Sequence, residues 1–127
     1  MMEPRVLLVE DNEANADMLR RRLARRGWTV AVAADGMKAL IAARREKPDL
    51  ILMDISLPEI DGWEVTRRLK ADRETAHIPI LALTAHVMPS DREQCFAAGC
   101  SEFEAKPIEI ERLLGKMRAL VGQGDAR

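Results

Sequence analysis

The sequence predicts an α/β protein in which helices cover both faces of a five-stranded parallel sheet. Three apolar runs are continuous rather than alternating, which is typical of parallel strands that are buried on both faces. These runs are Val6–Val9, Leu50–Met53 and Ile80–Leu83. Segments with helical spacing separate them, as the crossovers of a parallel sheet require. The predicted fold class is a doubly wound sheet with strand order 2-1-3-4-5 and five helices.

Two further segments complete the predicted sheet. Trp28–Ala33 is rich in Val, Ala and Thr and reads as the second strand. Ser101–Ala105 is short and polar, which favours a strand at an edge of the sheet.

Five segments have the apolar spacing of amphipathic helices. They are residues 13–26, 37–46, 63–71, 89–98 and 109–121. The pattern places Met37, Leu40 and Ile41 on the apolar face of the second helix. It places Phe96 and Ala97 on that of the fourth.

Length and composition narrow the possible classes of protein. A chain of 127 residues is expected to form one domain, and we assign it to residues 1–121, with 122–127 as a short polar tail. Apolar residues make up 47% and charged residues 32%, which excludes a disordered chain. The net charge of −1 argues against direct nucleic-acid binding. The sequence contains no signal peptide and no apolar run that could insert in a membrane, so the expected location is cytoplasmic.

Polar side chains follow four of the predicted strands. Glu10 and Asp11 follow the first strand, Asp54 the third, Thr84 the fourth and Lys106 the fifth. Because the carboxyl ends of parallel strands share one edge of the sheet, we expect these side chains to lie close together. Open α/β sheets bind ligands at this edge, where the strand order reverses. For the order 2-1-3-4-5 that point lies between strands 1 and 3.

Three carboxylates at one edge need a compensating charge. Two carboxylates about 4 Å apart repel each other by roughly 4 kcal/mol at an effective dielectric constant near 20. Carboxylates and a backbone carbonyl are ligands that Mg²⁺ prefers. A metal ion and a lysine together stabilise the charge that develops in phosphoryl transfer, and a carboxylate can itself be the nucleophile. The alternative is that each of these residues only caps a helix or forms a surface ion pair.

Four segments together resemble the response-regulator receiver domains of bacterial two-component signalling. They are "VLLVEDNEAN", "PDLILMDISLPEIDGWEV", "IPILALTAH" and "AGCSEFEAKPI". The resemblance covers about residues 5–121 and implies the flavodoxin-like receiver fold. Because no output domain follows, it favours a stand-alone regulator like those of chemotaxis or cell division.

The resemblance implies roles for the acidic residues. Asp54 is similar to the family's phosphoacceptor. Asp11 matches a direct Mg²⁺ ligand, and Glu10, which stands where Asp is usual, matches the residue that holds a metal-bound water. Asp54 itself and the backbone carbonyl of Ser56 would complete the metal shell.

The resemblance also implies a switch. Thr84 matches the hydroxyl that turns toward the phosphoryl group, and Lys106 matches the phosphate-contacting lysine, with a cis peptide bond to Pro107. Phe103 matches the switch aromatic, which is often Tyr. His86, two residues after Thr84, lies where the family tunes the lifetime of the phosphate, as does Ser56 relative to Asp54.

The implied function is that of a signalling module. A histidine kinase or a histidine phosphotransfer protein would donate a phosphoryl group from its phosphohistidine to Asp54. The face formed by the fourth helix, fifth strand and fifth helix would then change its binding to a downstream protein target. The chain would be no enzyme beyond its own phosphorylation and dephosphorylation.

Two alternatives stay open at this stage, and two other classes of protein are excluded because the residues they require are missing. The chain could be the receiver fragment of a hybrid histidine kinase, or an interaction module that is never phosphorylated. A dehalogenase-like phosphatase would need an acid where Ser56 stands. A flavodoxin-like electron carrier would need a phosphate-binding loop where Glu10 and Asp11 stand. The arginines of the first helix form either a solvated face or a kinase-docking site; they are Arg20, Arg21, Arg22, Arg25 and Arg26.

Overall fold

A computed structural model describes residues 3–85 and 88–125 of the chain, with side chains to residue 122. In this part of the chain five strands alternate with five helices. The elements are β1 (Arg5–Val9), α1 (Glu13–Ala24), β2 (Thr29–Ala33), α2 (Gly36–Glu46), β3 (Leu50–Asp54), α3 (Gly62–Ala71), β4 (Ile80–Thr84), α4 (Pro89–Ala98), β5 (Glu102–Ala105) and α5 (Ile110–Asp125). All strand pairs are parallel, in the order β2-β1-β3-β4-β5. The predicted fold class is confirmed.

The sheet separates two apolar cores. On one face, residues such as Val9 and Met53 pack with α2, α3 and α4. On the other face, residues such as Leu8 and Leu52 pack with α1 and α5. The three central strands are therefore buried on both sides, which is why their apolar runs are continuous. None of the helices in the described ranges is long and apolar enough to cross a membrane.

The predicted apolar face of α2 is wrong. Met37 and Ile41 are 51% and 58% exposed, and only Leu40 packs partly against the core. The side that faces the protein consists of small residues, because α2 lies close to α3. A Cβ atom on Gly36 would lie 2.7 Å from Val65 Cγ2. The buried residues of α2 are Gly36, Ala39 and Ala43.

The predicted face of α4 is also wrong. Phe96 and Ala97 are exposed, whereas Cys95 and Ala98 are buried. The side chain of Cys100, just after the helix, is buried too, and both thiols are free, so they pack as small apolar groups.

Helix α5 is longer than predicted. It runs to Asp125, so the expected polar tail is helical at residues 122–125, and residues 126–127 lie outside the described part. Buried Leu113, Leu114 and Met117 anchor the helix to the sheet. An exposed glycine such as Gly122 costs a helix only about 1 kcal/mol, which does not end it.

The loop after β3 is held by a close backbone contact. Asp61 caps α3 by accepting a hydrogen bond from the Glu64 N–H at 2.9 Å. The next residue, Gly62, donates its N–H to the Ile55 carbonyl at 3.1 Å. A Cβ atom on Gly62 would lie 2.6 Å from the Asp54 carbonyl oxygen. Glycine at this position therefore lets α3 begin directly against the end of β3.

We expect Gly62→Ala to lower the free energy of unfolding by about 1–3 kcal/mol, because the new methyl group would displace the backbone at Asp54 and Ile55. Urea denaturation of the purified protein measures this loss. Gly115→Ala is the matched control. Gly115 lies in α5 with open space around it, so the same change there should raise the free energy of unfolding by about 0.5–1 kcal/mol. Equal effects of the two changes would contradict the close contact.

Candidate functional site

Three carboxylates meet at the carboxyl edge of the sheet, where β1 and β3 lie side by side. Glu10 and Asp11 directly follow β1, and Asp54 ends β3. Each offers one oxygen atom, and these three atoms lie within 4.8 Å of one another. Asp54 is only 2% exposed and Glu10 only 6%, whereas Asp11 is open to solvent. The structure thus brings together residues that are 44 positions apart in the chain.

Lys106 is the cation of this cluster. Its Nζ donates a hydrogen bond to Asp54 Oδ1 at 3.1 Å and lies 3.8 Å from Glu10 Oε1. The Lys106 N–H donates to the Thr84 carbonyl at 2.8 Å, which ties the end of β5 to β4. Thr84 is buried at the end of β4, and the bond from Lys106 to Pro107 is cis, as expected.

Backbone N–H groups orient the two buried carboxylates. The Ser56 N–H donates to Asp54 Oδ1 at 3.0 Å, and the Asn12 N–H donates to Glu10 Oε2 at 3.1 Å. The Asn12 side chain also caps α1 by accepting from the Asn15 N–H at 2.9 Å. Sequence reasoning missed Asn12 and Gly62, although a capping Asn before a helix and an Asp-Gly pair are both visible signals.

The cluster carries an excess of negative charge. Burial raises the pKa of Glu10, and the nearby Asp54 carboxylate adds to this, against the opposing effects of the Asn12 N–H and of Lys106. One lysine therefore does not compensate three carboxylates. A divalent cation would remove the remaining repulsion, and an all-oxygen set is the coordination that Mg²⁺ favours. The described residues fit such an ion.

A second group of contacts surrounds Phe103 on β5. The half-buried ring packs edge-on against Phe96, with 6.3 Å between the ring centroids. The Arg92 guanidinium carbon and Lys116 Nζ each lie 5.3 Å from the centroid of the Phe103 ring. Residues of α4 and α5 thus meet at this ring. We call these four residues and Glu104 the α4–β5–α5 surface.

Glu104 is a buried carboxylate that the polar sequence of β5 does not reveal. Arg112 Nε donates to its Oε2 at 2.7 Å, and Lys116 Nζ lies 2.9 Å from its Oε1. Although burial opposes ionisation, the two cations hold the pKa of Glu104 below its usual value. The carboxylate therefore fastens β5 to α5.

A groove of about 370 Å³ opens beside the carboxylates, between α1 and the segment after β5. Glu10 and Lys106 lie at one end of it. Most of its remaining lining is apolar or basic: Met18, Leu19, Arg22, Pro107 and Ile108.

The other arginines of α1 have partners of their own or lie outside this groove. Arg20 and Arg21 pair with Asp17, and Arg26 pairs with Glu111. Of the five arginines, Arg22 is the one that lines the groove. His86, the remaining residue singled out in the sequence, lies outside the described residues.

Comparison with known proteins identifies the family. A family model described as the response regulator receiver domain matches residues 6–118. The chain belongs to the response regulator receiver family. The polar-differentiation response regulator DivK of Brucella anthropi is 41% identical over 121 residues, which are 95% of this chain and 98% of that protein. The family is one of two-component signalling proteins rather than of catalytic enzymes.

Solved receiver structures share the fold. The receiver domain of the sensor histidine kinase PA1611 from Pseudomonas aeruginosa is 38% identical, with a TM-score of 0.87 over 94% of this chain and 98% of that one. That domain holds a magnesium ion in its active-site cleft. The chemotaxis protein CheY4 of Vibrio cholerae is 29% identical, with a TM-score of 0.88 over 94% and 99% of the two chains. Among the described residues of this chain, the group of side chains that could hold a metal ion consists of Glu10, Asp11 and Asp54.

We expect Asp54→Asn to raise the free energy of unfolding by about 1–2 kcal/mol in EDTA, because it removes one of three clustered carboxylates at the expense of one lysine contact. Thermal denaturation with and without Mg²⁺ measures the effect. Saturating Mg²⁺ should stabilise the wild type more than the variant, since the variant has lost a ligand. A variant that is equally stable or less stable than the wild type in EDTA would show that the carboxylates do not repel one another.

Proposed function

We propose that this receiver accepts a phosphoryl group on Asp54 from the phosphohistidine of a histidine kinase or a histidine phosphotransfer protein. The observation that supports this most is the Lys106–Asp54 contact of 3.1 Å inside the acidic cluster. It combines an oriented carboxylate nucleophile, a cation for the phosphoryl oxygens and a site for a divalent metal. The proposal takes residues 1–121 as the receiver domain, acting in the cytoplasm.

In the proposed reaction Asp54 attacks phosphorus, a P–O bond forms and the P–N bond to the donor histidine breaks. The histidine nitrogen leaves with the bonding electron pair and takes a proton from solvent as needed. The Ser56 N–H keeps the Asp54 carboxylate in place. The Lys106 ammonium group moves from that carboxylate to the phosphoryl oxygens and stabilises their negative charge. Glu10, Asp11, Asp54 and the Ser56 carbonyl would hold Mg²⁺, which supplies further charge neutralisation when it is bound.

Thr84 and Phe103 would change position in response to the phosphoryl group. The added group carries charge and three acceptor oxygens, so the Thr84 hydroxyl would turn toward it and the Phe103 ring would follow inward. The shape of the α4–β5–α5 surface would change, and with it the affinity for a downstream protein target. In an interaction module that is never phosphorylated, Lys106 and Asp54 would be only a buried ion pair.

Phosphorylation can be tested directly with a small donor such as acetyl phosphate and Mg²⁺. Intact-mass measurement should show one added phosphoryl group on the wild type and none on Asp54→Asn. Glu74→Gln, which neutralises an exposed carboxylate in the turn after α3, controls for the change of charge and should be phosphorylated like the wild type. No gain in the wild type, or an equal gain in Asp54→Asn, would refute the proposal.

The groove beside α1 is the proposed docking place for the donor protein, because it brings an apolar and basic surface next to the nucleophile. Met18 lines it and is 52% exposed. The phosphohistidine must come within bonding distance of Asp54, and a donor seated in this groove lies alongside Glu10 and Lys106.

We expect Met18→Glu to slow phosphoryl transfer from a phosphorylated histidine phosphotransfer protein by about tenfold or more, because it places a charge in a buried contact. Transfer from acetyl phosphate should be unchanged. Met37→Glu is the matched control, since Met37 is 51% exposed on α2 and lies outside the groove. Equal slowing by both substitutions, or by neither, would place the docking surface elsewhere.

A further inference from the structure

The contacts of Phe103 point to a residue that sets the balance of the proposed switch. We propose that Arg92 on α4 is a positioning residue. Its guanidinium holds the Phe103 ring in the half-buried position and so limits how readily Asp54 is phosphorylated. This inference rests on the proposed function, since it concerns the regulation of that same site.

The Phe103 ring is held from both neighbouring helices. Phe96 and Arg92 reach it from α4, and Lys116 reaches it from α5. A cation near an aromatic ring is attracted by the electrons of the ring, and an edge-on pair of rings adds to that attraction. If the ring moves inward, it leaves these groups behind. The three contacts therefore favour the position in which the ring is found here.

The side chain that lies beside Phe103 on β4 is small. Phe103 lies opposite Ala82 in the β4–β5 register, on the same face of the sheet. Alanine is the smallest side chain along β4. Thr84, two residues further along β4, lies beside Ala105 and next to Lys106. Movement of Phe103 toward β4 is thus movement toward the residues that surround the phosphoryl group in the proposed reaction.

Lys116 cannot be the adjustable cation. Its Nζ donates to the Phe103 carbonyl at 2.6 Å and pairs with Glu104 at 2.9 Å, so it is fixed to the backbone and to a buried carboxylate. Removing Lys116 would leave Glu104 with one partner fewer and would destabilise the fold. Its effect on the ring could not be separated from that loss.

Arg92 differs from Lys116 in this respect. Among the side chains that the structure describes, those of residues 3–85 and 88–122, none forms an ion pair with the Arg92 guanidinium, whose carbon lies over the Phe103 ring. The residue is exposed on α4, so replacing it leaves the core intact. Arg92 can therefore change the position of the ring without changing the stability of the sheet or the acidic cluster.

The effect on phosphorylation follows from linkage. If phosphorylation favours the inward ring, then whatever favours the outward ring must oppose phosphorylation by the same free energy. A partly exposed contact between a cation and a ring corresponds to about a two- to fivefold change in the ratio of the two ring positions. If Asp54 reacts while the ring is inward, the initial rate is proportional to the population of that state, so Arg92→Met should speed phosphorylation by acetyl phosphate about two- to fivefold while the outward position predominates.

The experiment compares three variants with the wild type. Arg92→Met removes the cation and keeps an apolar side chain, Arg92→Lys restores a cation, and Arg73→Met makes the same change of charge in the exposed turn after α3. Initial rates of phosphorylation by acetyl phosphate with Mg²⁺ are followed by intact mass. The position of the ring is followed by ¹⁹F NMR after incorporation of 4-fluorophenylalanine, because the chain has only two phenylalanines and no tyrosine. A Phe103→Leu sample assigns the signal of Phe96.

We expect Arg92→Met to be faster and its Phe103 signal to shift, before any donor is added, toward the value that the wild type reaches with Mg²⁺ and beryllofluoride. Arg92→Lys should return toward the wild type in both measurements, and Arg73→Met should match the wild type. Rates and signals of Arg92→Met that equal those of Arg73→Met would overturn the inference, as would slower phosphorylation. The proposed function would fail separately, by the absence of phosphorylation in the wild type itself.

Discussion

Three carboxylates repel one another at one edge of a parallel sheet, and Lys106 opposes this repulsion. Parallel strands bring their carboxyl ends together, so the fold itself concentrates Glu10, Asp11 and Asp54 within 4.8 Å. Lys106, held at 3.1 Å from Asp54 by the end of β5, compensates only part of the charge. A divalent cation would offset the negative charge that remains.

Two surfaces extend from this charge cluster. The groove along α1 lies on the side of Glu10 and Lys106, and in the proposed function it is the docking place of the donor protein. The α4–β5–α5 surface lies around Phe103, and in the proposed function it binds the downstream target. Lys106 lies between the two surfaces, because its backbone is tied to Thr84 and its side chain to Asp54. The proposed function therefore links the two surfaces through a few residues at the ends of β4 and β5.

The sequence predicts the order of strands and helices well. The central strands are buried on both faces, so their continuous apolar runs differ clearly from the alternating pattern of a half-exposed strand. The sequence also places the charged residues correctly at the strand ends. The prediction fails for α2, because the spacing puts the large residues Met37 and Ile41 on the core side, whereas close packing on α3 selects small residues. The predicted end of α5 before Gly122 is also wrong, because buried residues earlier in the helix stabilise it and it continues beyond this glycine.

Other features could not be predicted because they depend on contacts between distant segments. Glu104 reads as an exposed residue of an edge strand until Arg112 and Lys116 of α5 are seen to bury it. The backbone donors at Asn12 and Ser56 have no signature of their own beyond a capping residue and a loop. The contact of Arg92 with Phe103 could not be predicted either, because it depends on the orientation of α4 relative to β5.

A crystal structure of the protein with Mg²⁺ and beryllofluoride would test directly whether the acidic cluster and Lys106 form one phosphorylation site. We expect a beryllofluoride group bonded to the Asp54 carboxylate, in contact with Lys106 Nζ. The magnesium ion should be coordinated by Asp11, Asp54 and the Ser56 carbonyl. A metal ion bound away from these residues, or an Asp54 carboxylate that stays paired with Lys106 and carries no adduct, would contradict this expectation.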